Sequence, residues 1–223
     1  MAEATTFQDA RRELGVTGSL EKRVLLWLAA RIPARVNSDH LTGLGFAAML
    51  AAGGAYALSG ARPWLLLAVN VLLVVNWFGD SLDGTLARYR DRCRPRYGFY
   101  VDHMVDMFGA LFLLGGLALS GHMSAGVAVA VLIAYLMMAI HVYLATYTLG
   151  VFKIAYAGLG GTELRLVLAA GNVAIMVAPR LSVAGFTVLV YDVVGVLAAA
   201  GLATALVVAV ARSTRKLYEL ERL

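Results

Sequence analysis

The chain reads as an all-α polytopic membrane protein: six transmembrane helices preceded by an amphipathic helix lying in the membrane interface. Three observations predict this. Of 223 residues, 61% are hydrophobic and only 15% charged, whereas soluble domains carry about 25% charged residues. The apolar residues gather into six stretches, each near the ~20 residues that cross a bilayer core. The 19 Lys and Arg fall almost wholly in alternate connections between those stretches, the asymmetry of the positive-inside rule. Apolar stretches of this length are expected to be helical, because a helix satisfies its backbone hydrogen bonds within itself.

Taken in order, residues 1–20 are polar and lack an apolar core, so no cleavable signal peptide is expected there. "SLEKRVLLWLAARIPARVN" follows, mixing Leu25, Trp27, Leu28 and Ile32 with Lys22, Arg23, Arg31 and Arg35 and ending near Pro33. That mixture predicts a helix in the interface plane, with a plain cytoplasmic helix as the alternative. Spans are expected at about 41–60, 64–87, 98–120, 124–149, 163–179 and 186–211. The second and third are expected to run past the membrane as longer helices. The organisation is therefore an N-terminal cytoplasmic segment (1–40), a six-helix membrane domain (41–211) and a cytoplasmic tail (212–223). Only Arg62 and Arg180 lie on the side opposite the other Lys and Arg. Both termini and the Arg-rich loop after the second span are thus expected in the cytoplasm. Anionic lipid and this rule account for the net charge of +5, so nucleic acid is not an expected partner. The single Cys93 excludes an internal disulfide and a cysteine-based zinc site.

The segment "GDSLDGTLARYRDRCRPRYGFYVDHMVDMFG", Gly79 to Gly109, breaks the apolar pattern. Asp80 and Asp83 are spaced i, i+3 and Asp102 and Asp106 i, i+4, so each pair shares a helix face. The connection between them is short and contains Pro95, which predicts an antiparallel pair of helices with both carboxylate pairs at the same end. An ionisable group at the centre of a membrane helix costs about 2.5–3.5 kcal/mol. Near the ends it costs less, but four clustered carboxylates repel one another and require positive charge. Arginine is one source; a hard divalent cation, which prefers oxygen ligands, is the other. Four aspartates can hold two such ions. Gly84, Ala87 and Gly98 leave room for a ligand to lie against backbone. Arg88, one turn past Gly84, offers a planar charged fork for phosphate. The combination reads as a pyrophosphate site.

The pattern Asp80-x2-Asp83-Gly84-x2-Ala87-Arg88-x9-Gly98-x3-Asp102-x3-Asp106 resembles the signature of the CDP-alcohol phosphotransferase family, with one extra residue between Arg88 and Gly98 relative to the commonest spacing. The six-span plan with a preceding amphipathic helix resembles the family over most of the chain. The resemblance implies a membrane domain that is catalytic. In it a CDP-linked alcohol binds through two divalent cations, magnesium or manganese, an acceptor hydroxyl attacks the β-phosphorus, and CMP leaves. It implies Asp80, Asp83, Asp102 and Asp106 as metal ligands, Asp106 also as base, and Gly84, Ala87, Arg88 and Gly98 as residues that hold the CDP moiety. It further implies a homodimer. His103, beside Asp102, is a second candidate base. "DH" at 102–103 and "GGTELR" at 160–165 resemble the branch that transfers a phospho-aminoalcohol to a lipid acceptor. Thr162-Glu163 is equally an ordinary helix start, Thr as N-cap and Glu favoured by the dipole. Lys153 and Arg165 suit the phosphate of a polar acceptor, as in the branch that uses CDP-diacylglycerol, or are topology anchors.

Two other classes are open to a chain of this composition. A cation transporter or channel would spread its carboxylates through the depth of the bilayer, whereas these gather at one end. A scaffold with a decayed site would have lost part of the aspartate set. Asp192, at the start of the last span, is expected simply to be solvated.

Overall fold

A computed structural model describes residues 18–150, 161–183 and 185–222. Among them the chain forms α1 (Gly18–Ala29), α2 (Ser38–Ser59), α3 (Leu65–Tyr89), α4 (Pro95–Ser120), α5 (Ala125–Leu149), α6 (Gly161–Val177), β1 (Arg180–Val183), β2 (Phe186–Leu189) and α7 (Val190–Leu220). Five of these helices, α2 to α5 and α7, are long and apolar enough to cross a membrane. The chain is in this respect an all-α membrane protein.

The far end of the bundle departs from expectation. α6 has 17 residues, or ~26 Å at 1.5 Å per residue, and is not among the five. The last expected span also begins too early: Phe186–Leu189 is a strand, paired antiparallel with β1 from Arg180↔Leu189 to Val183↔Phe186. Gly185 (φ +86) permits the reversal, and only then does α7 start. A short apolar run suits a strand as well as a helix, so hydrophobicity alone extends the helix over it.

α2 sits between α3 and α4, and glycine decides how closely. A Cβ on Gly79 of α3 would stand 2.5 Å from the Leu41 carbonyl oxygen of α2. One on Gly116 of α4 would collide with the Gly53 carbonyl, and one on Gly53 with that of Phe112. Small residues thus bring the backbones into contact, the means by which helices associate where no hydrophobic force separates them from lipid. Around this contact lie the buried Ala52, Tyr56, Leu66, Val69, Leu73, Leu113 and Leu117.

Polar groups at the far end close on one another. The fully buried Asn172 of α6 accepts through Oδ1 from the hydroxyls of Tyr56 (2.8 Å) and Tyr191 (2.5 Å). Its amide donates to Asn70 Oδ1 at 2.7 Å, and Asn70 donates in turn to the Ala169 carbonyl. Four helices, α2, α3, α6 and α7, are joined there. Asp192 is not merely solvated: its carboxylate accepts from the backbone N–H (2.6 Å) and hydroxyl (2.5 Å) of Ser124 and so caps the start of α5.

The amphipathic N-terminal helix is present as α1. Leu25 and Ala29 pack with Leu41, Leu82 and Leu86 against α2 and α3, while Val24, Leu26 and Trp27 stay exposed. The Arg31 guanidinium lies 3.8 Å from the Trp27 ring centre. α2 opens with a reciprocal cap: Asn37 Oδ1 accepts from the His40 N–H and His40 Nδ1 from the Asn37 N–H. The Arg-rich turn between α3 and α4 is anchored here too. Arg90 donates to the carbonyls of Ile32, Pro33 and Val36, and Arg94 pairs with Asp39. These two arginines have structural partners, beyond the topological role expected of the run.

Candidate active site

The antiparallel turn-back of α3 and α4 brings both aspartate pairs to one end of the bundle. Asp80 and Asp83 lie in the last three turns of α3, and Asp102 and Asp106 in the first four turns of α4. Asp80 and Asp102 both act electrostatically on Asp83, and all three act on Asp106. Asp106 keeps solvent-accessible surface although protein crowds it. The spacing argument therefore holds at the level of the fold: four carboxylates share one small region.

Their side chains are engaged by protein. Asp80 Oδ2 pairs with Arg165 Nη2 of α6 at 2.5 Å. The same guanidinium donates through Nε to Asn76 Oδ1 at 2.7 Å, and Asn76 donates to the Gly45 carbonyl. Arg165 is thus drawn into the carboxylate group rather than left as a surface anchor. Asp83 accepts from the Thr42 hydroxyl at 2.6 Å and from the Gly84 N–H. Among the described residues no three carboxylate, histidine or cysteine side chains converge on a point where a metal would sit. The donor chemistry nevertheless suits a hard cation: the set is all oxygen, it is crowded, and its mutual repulsion is offset in part by Arg165.

The expected phosphate-holding residues are close by. Arg88 folds back over Gly84, where a Cβ would stand 3.4 Å from its Nη1, and donates to the Thr85 hydroxyl at 3.3 Å. The room that Gly84 provides is taken here by the guanidinium itself. Ala87 is half-buried on the same turn. Gly98 is exposed, with nothing within 4 Å of where a Cβ would lie, and leaves open space at the start of α4. Lys153 lies outside the described residues.

His103 is held firmly. Its Nδ1 is 2.6 Å from the Phe99 carbonyl oxygen. Its ring lies tilted against Phe99, centroids 4.2 Å apart, and meets the Tyr143 ring of α5 edge-on at 5.0 Å. Tyr143 and Tyr135, both on α5, lie within electrostatic reach of Asp102 and Asp106.

Sequence reasoning missed Asn76, Thr42 and the two tyrosines as neighbours of the site. Asn76 had a signal: it is an amide one turn before Asp80 in an apolar helix, where an unpaired amide would be costly. Thr42 had none, since its distance from Asp83 is 41 residues along the chain. Thr162 is not simply an N-cap: it lies within the first turn of α6, and its hydroxyl donates to Glu21 at 3.0 Å. A scan against protein-family models matches none, and a search of curated proteins finds no match.

Proposed function

We propose that the protein is a CDP-alcohol phosphotransferase of phospholipid synthesis, moving a substituted phosphate from a CDP-linked alcohol to an acceptor hydroxyl with release of CMP. The observation that carries this reading is the complete Asp80-to-Asp106 pattern, set on two antiparallel helices that flank α2, with the four carboxylates close enough to act on one another electrostatically. Asp80, Asp83, Asp102 and Asp106 are the residues to hold two divalent cations, magnesium or manganese, which when bound would neutralise charge on the pyrophosphate and the developing CMP. Arg88 grips phosphate with its flat fork, and Gly84, Ala87 and Gly98 keep the approach to backbone clear. Arg165 offers positive charge to an anionic acceptor, with Lys153 a second candidate.

Asp106 is the first candidate to take the acceptor proton, because it keeps solvent-accessible surface among the four carboxylates. His103 is the second. Its Nδ1 lies against the Phe99 carbonyl oxygen, which fixes the ring beside Asp102, and an imidazole titrates in the range that suits a proton acceptor.

In this reading α6 with the hairpin completes a sixth crossing. Both termini and the site then face the cytoplasm, α1 lies on the lipid surface, and the chain works as a homodimer. A cysteine placed at His122, with Cys93→Ser, tests the sidedness: labelling only from the cytoplasmic side overturns it. The reaction is tested by incubating purified protein in lipid with labelled CDP-diacylglycerol or CDP-ethanolamine and a panel of acceptors. CMP release that stops in excess chelator and returns with magnesium or manganese is expected; undiminished release in chelator removes the metal from the reading.

A further inference from the structure

We infer that Glu21 is a positioning residue of the site: its carboxylate ties α1 and α3 to the first turn of α6, and thereby holds Arg165 against Asp80. Glu21 Oε1 accepts from Trp77 Nε1 (2.8 Å) and Ser81 Oγ (3.3 Å) of α3 and from Thr162 Oγ1 of α6 (3.0 Å). Three donors from two helices converge on one half-buried carboxylate oxygen.

The arrangement on α3 gives this contact its consequence. Asn76 and Asp80 form one i, i+4 strip, and both bind Arg165. Trp77 and Ser81 form the adjacent i, i+4 strip, and both bind Glu21. α6 is therefore fastened to α3 at two points one turn apart: Arg165 directly, and Thr162 through Glu21. A long arginine side chain can reach its partner from several backbone positions. Fixing Thr162 three residues earlier restricts the backbone of that turn and so restricts where the guanidinium lies. Hydrogen bonds to a carboxylate are about twice as strong as neutral ones, which suits Glu21 for this task. α1 contributes the carboxylate from a helix whose Val24, Leu26 and Trp27 are exposed, so the fastening also joins the outer helix to the site.

The functional side of this inference rests on the reading of Arg165 as acceptor-binding. Its test uses the full-length protein in lipid nanodiscs, with hydrogen exchange over residues 161–170 as a readout that needs no activity. In Glu21→Ala, amide exchange in the first turns of α6 should rise about tenfold, the equivalent of one hydrogen bond to a charged group, with α5 unchanged. Glu21→Gln keeps an accepting oxygen and should recover most of the protection. Thr162→Val cuts the same bond from the α6 side while leaving α1 docked through Trp77 and Ser81, and should loosen α6 by a similar factor without loosening α1. In the CMP-release assay Glu21→Ala should raise the KM of an anionic acceptor about tenfold, with the KM of the CDP-linked donor and kcat changed by less than about threefold. Unchanged exchange in α6 overturns the fastening. Faster exchange with an unchanged acceptor KM reduces Glu21 to a packing role and overturns the positioning. Absence of CMP release from the wild type with every pair overturns the proposed reaction instead, while the exchange result still decides whether Glu21 holds α6.

Discussion

Two polar regions sit in this apolar bundle, and they are built on opposite principles. At the far end Tyr56, Asn70, Asn172 and Tyr191 satisfy one another, carry no formal charge, and are closed around the fully buried Asn172. At the other end Asp80, Asp83, Asp102 and Asp106 repel one another, keep solvent-accessible surface at Asp106, and borrow partners from α2 and α6. The first network spends its hydrogen-bonding capacity on joining helices. The second crowds four oxygen-donor carboxylates beside one arginine, a set whose chemistry suits a hard cation or a cation-bound phosphate. The difference separates polar residues that build the bundle from those available for chemistry.

Exchanging a single group at each end should break this contrast in distinct ways. The largest effect is expected for Asp106→Asn. It is nearly isosteric but cannot take a proton at neutral pH, so CMP release should fall by roughly the 10²–10⁴-fold of general base catalysis. Binding of the CDP-linked substrate should stay within about tenfold, a ratio of 1.4 kcal/mol. His103→Ala should then be mild; full activity in Asp106→Asn together with loss in His103→Ala would transfer the proton to the histidine. Asp80→Asn and Asp83→Asn should instead weaken metal and donor binding together.

At the far end Asn172→Leu should lower stability without touching chemistry. It removes an acceptor from the Tyr56 hydroxyl and a donor from Asn70 Oδ1, while Tyr191 and Asn70 keep the Leu168 and Ala169 carbonyls, a loss of about 1–3 kcal/mol with the lower part favoured inside a membrane. Unfolding in detergent would measure it, and CMP release per folded molecule should be unchanged. Loss of turnover without loss of stability would erase the distinction between the two regions. A smaller and more selective change is expected from Arg88→Lys, which keeps charge but loses the planar fork. The KM for the CDP-linked substrate should rise by up to about tenfold, as for one charged hydrogen bond; unchanged kinetics would remove Arg88 from the site.

The smallest effect concerns His122, in the connection between α4 and α5. Burial lowers its pKa, partly offset by a hydrogen bond to the Ser59 backbone. The unfolded chain therefore takes up this proton at higher pH than the folded one, and stability should fall as pH drops below the ordinary histidine value of about 6.5. His122→Gln should flatten that slope slightly in melting curves recorded from neutral to about pH 5.5.

Much of the bundle was legible beforehand. Runs of apolar residues located α2 to α5, the mixed segment before Pro33 located α1, and the i, i+3 and i, i+4 spacings placed the two aspartate pairs at one end of antiparallel helices; that α2 packs between those helices, so that they do not face each other directly, was not legible. The end of α6 and the start of α7 were not legible, because residues 180–189 are apolar enough for either structure and β-pairing depends on a partner strand. The partners of the carboxylates were not legible either. Arg165 reads from sequence as an acceptor-phosphate candidate or a topology anchor, but not as the partner of Asp80, from which 85 residues of chain separate it.

The sequence by itself determined that the chain is a bundle of membrane-length helices with four carboxylates gathered at one end. Burial preference and helical periodicity are sums over neighbouring residues, and each can be read within one or two turns. Only the tertiary structure decided what those carboxylates touch: Arg165 and Asn76 at Asp80, Thr42 at Asp83, and Glu21 fastening Thr162 to α3. A hydrogen bond of about 3 Å exists only when helices far apart in sequence pack at a particular depth and rotation. Glycine contacts such as Gly79 on Leu41 and Gly116 on Gly53 set that packing, and no local pattern encodes which helix lies on the other side.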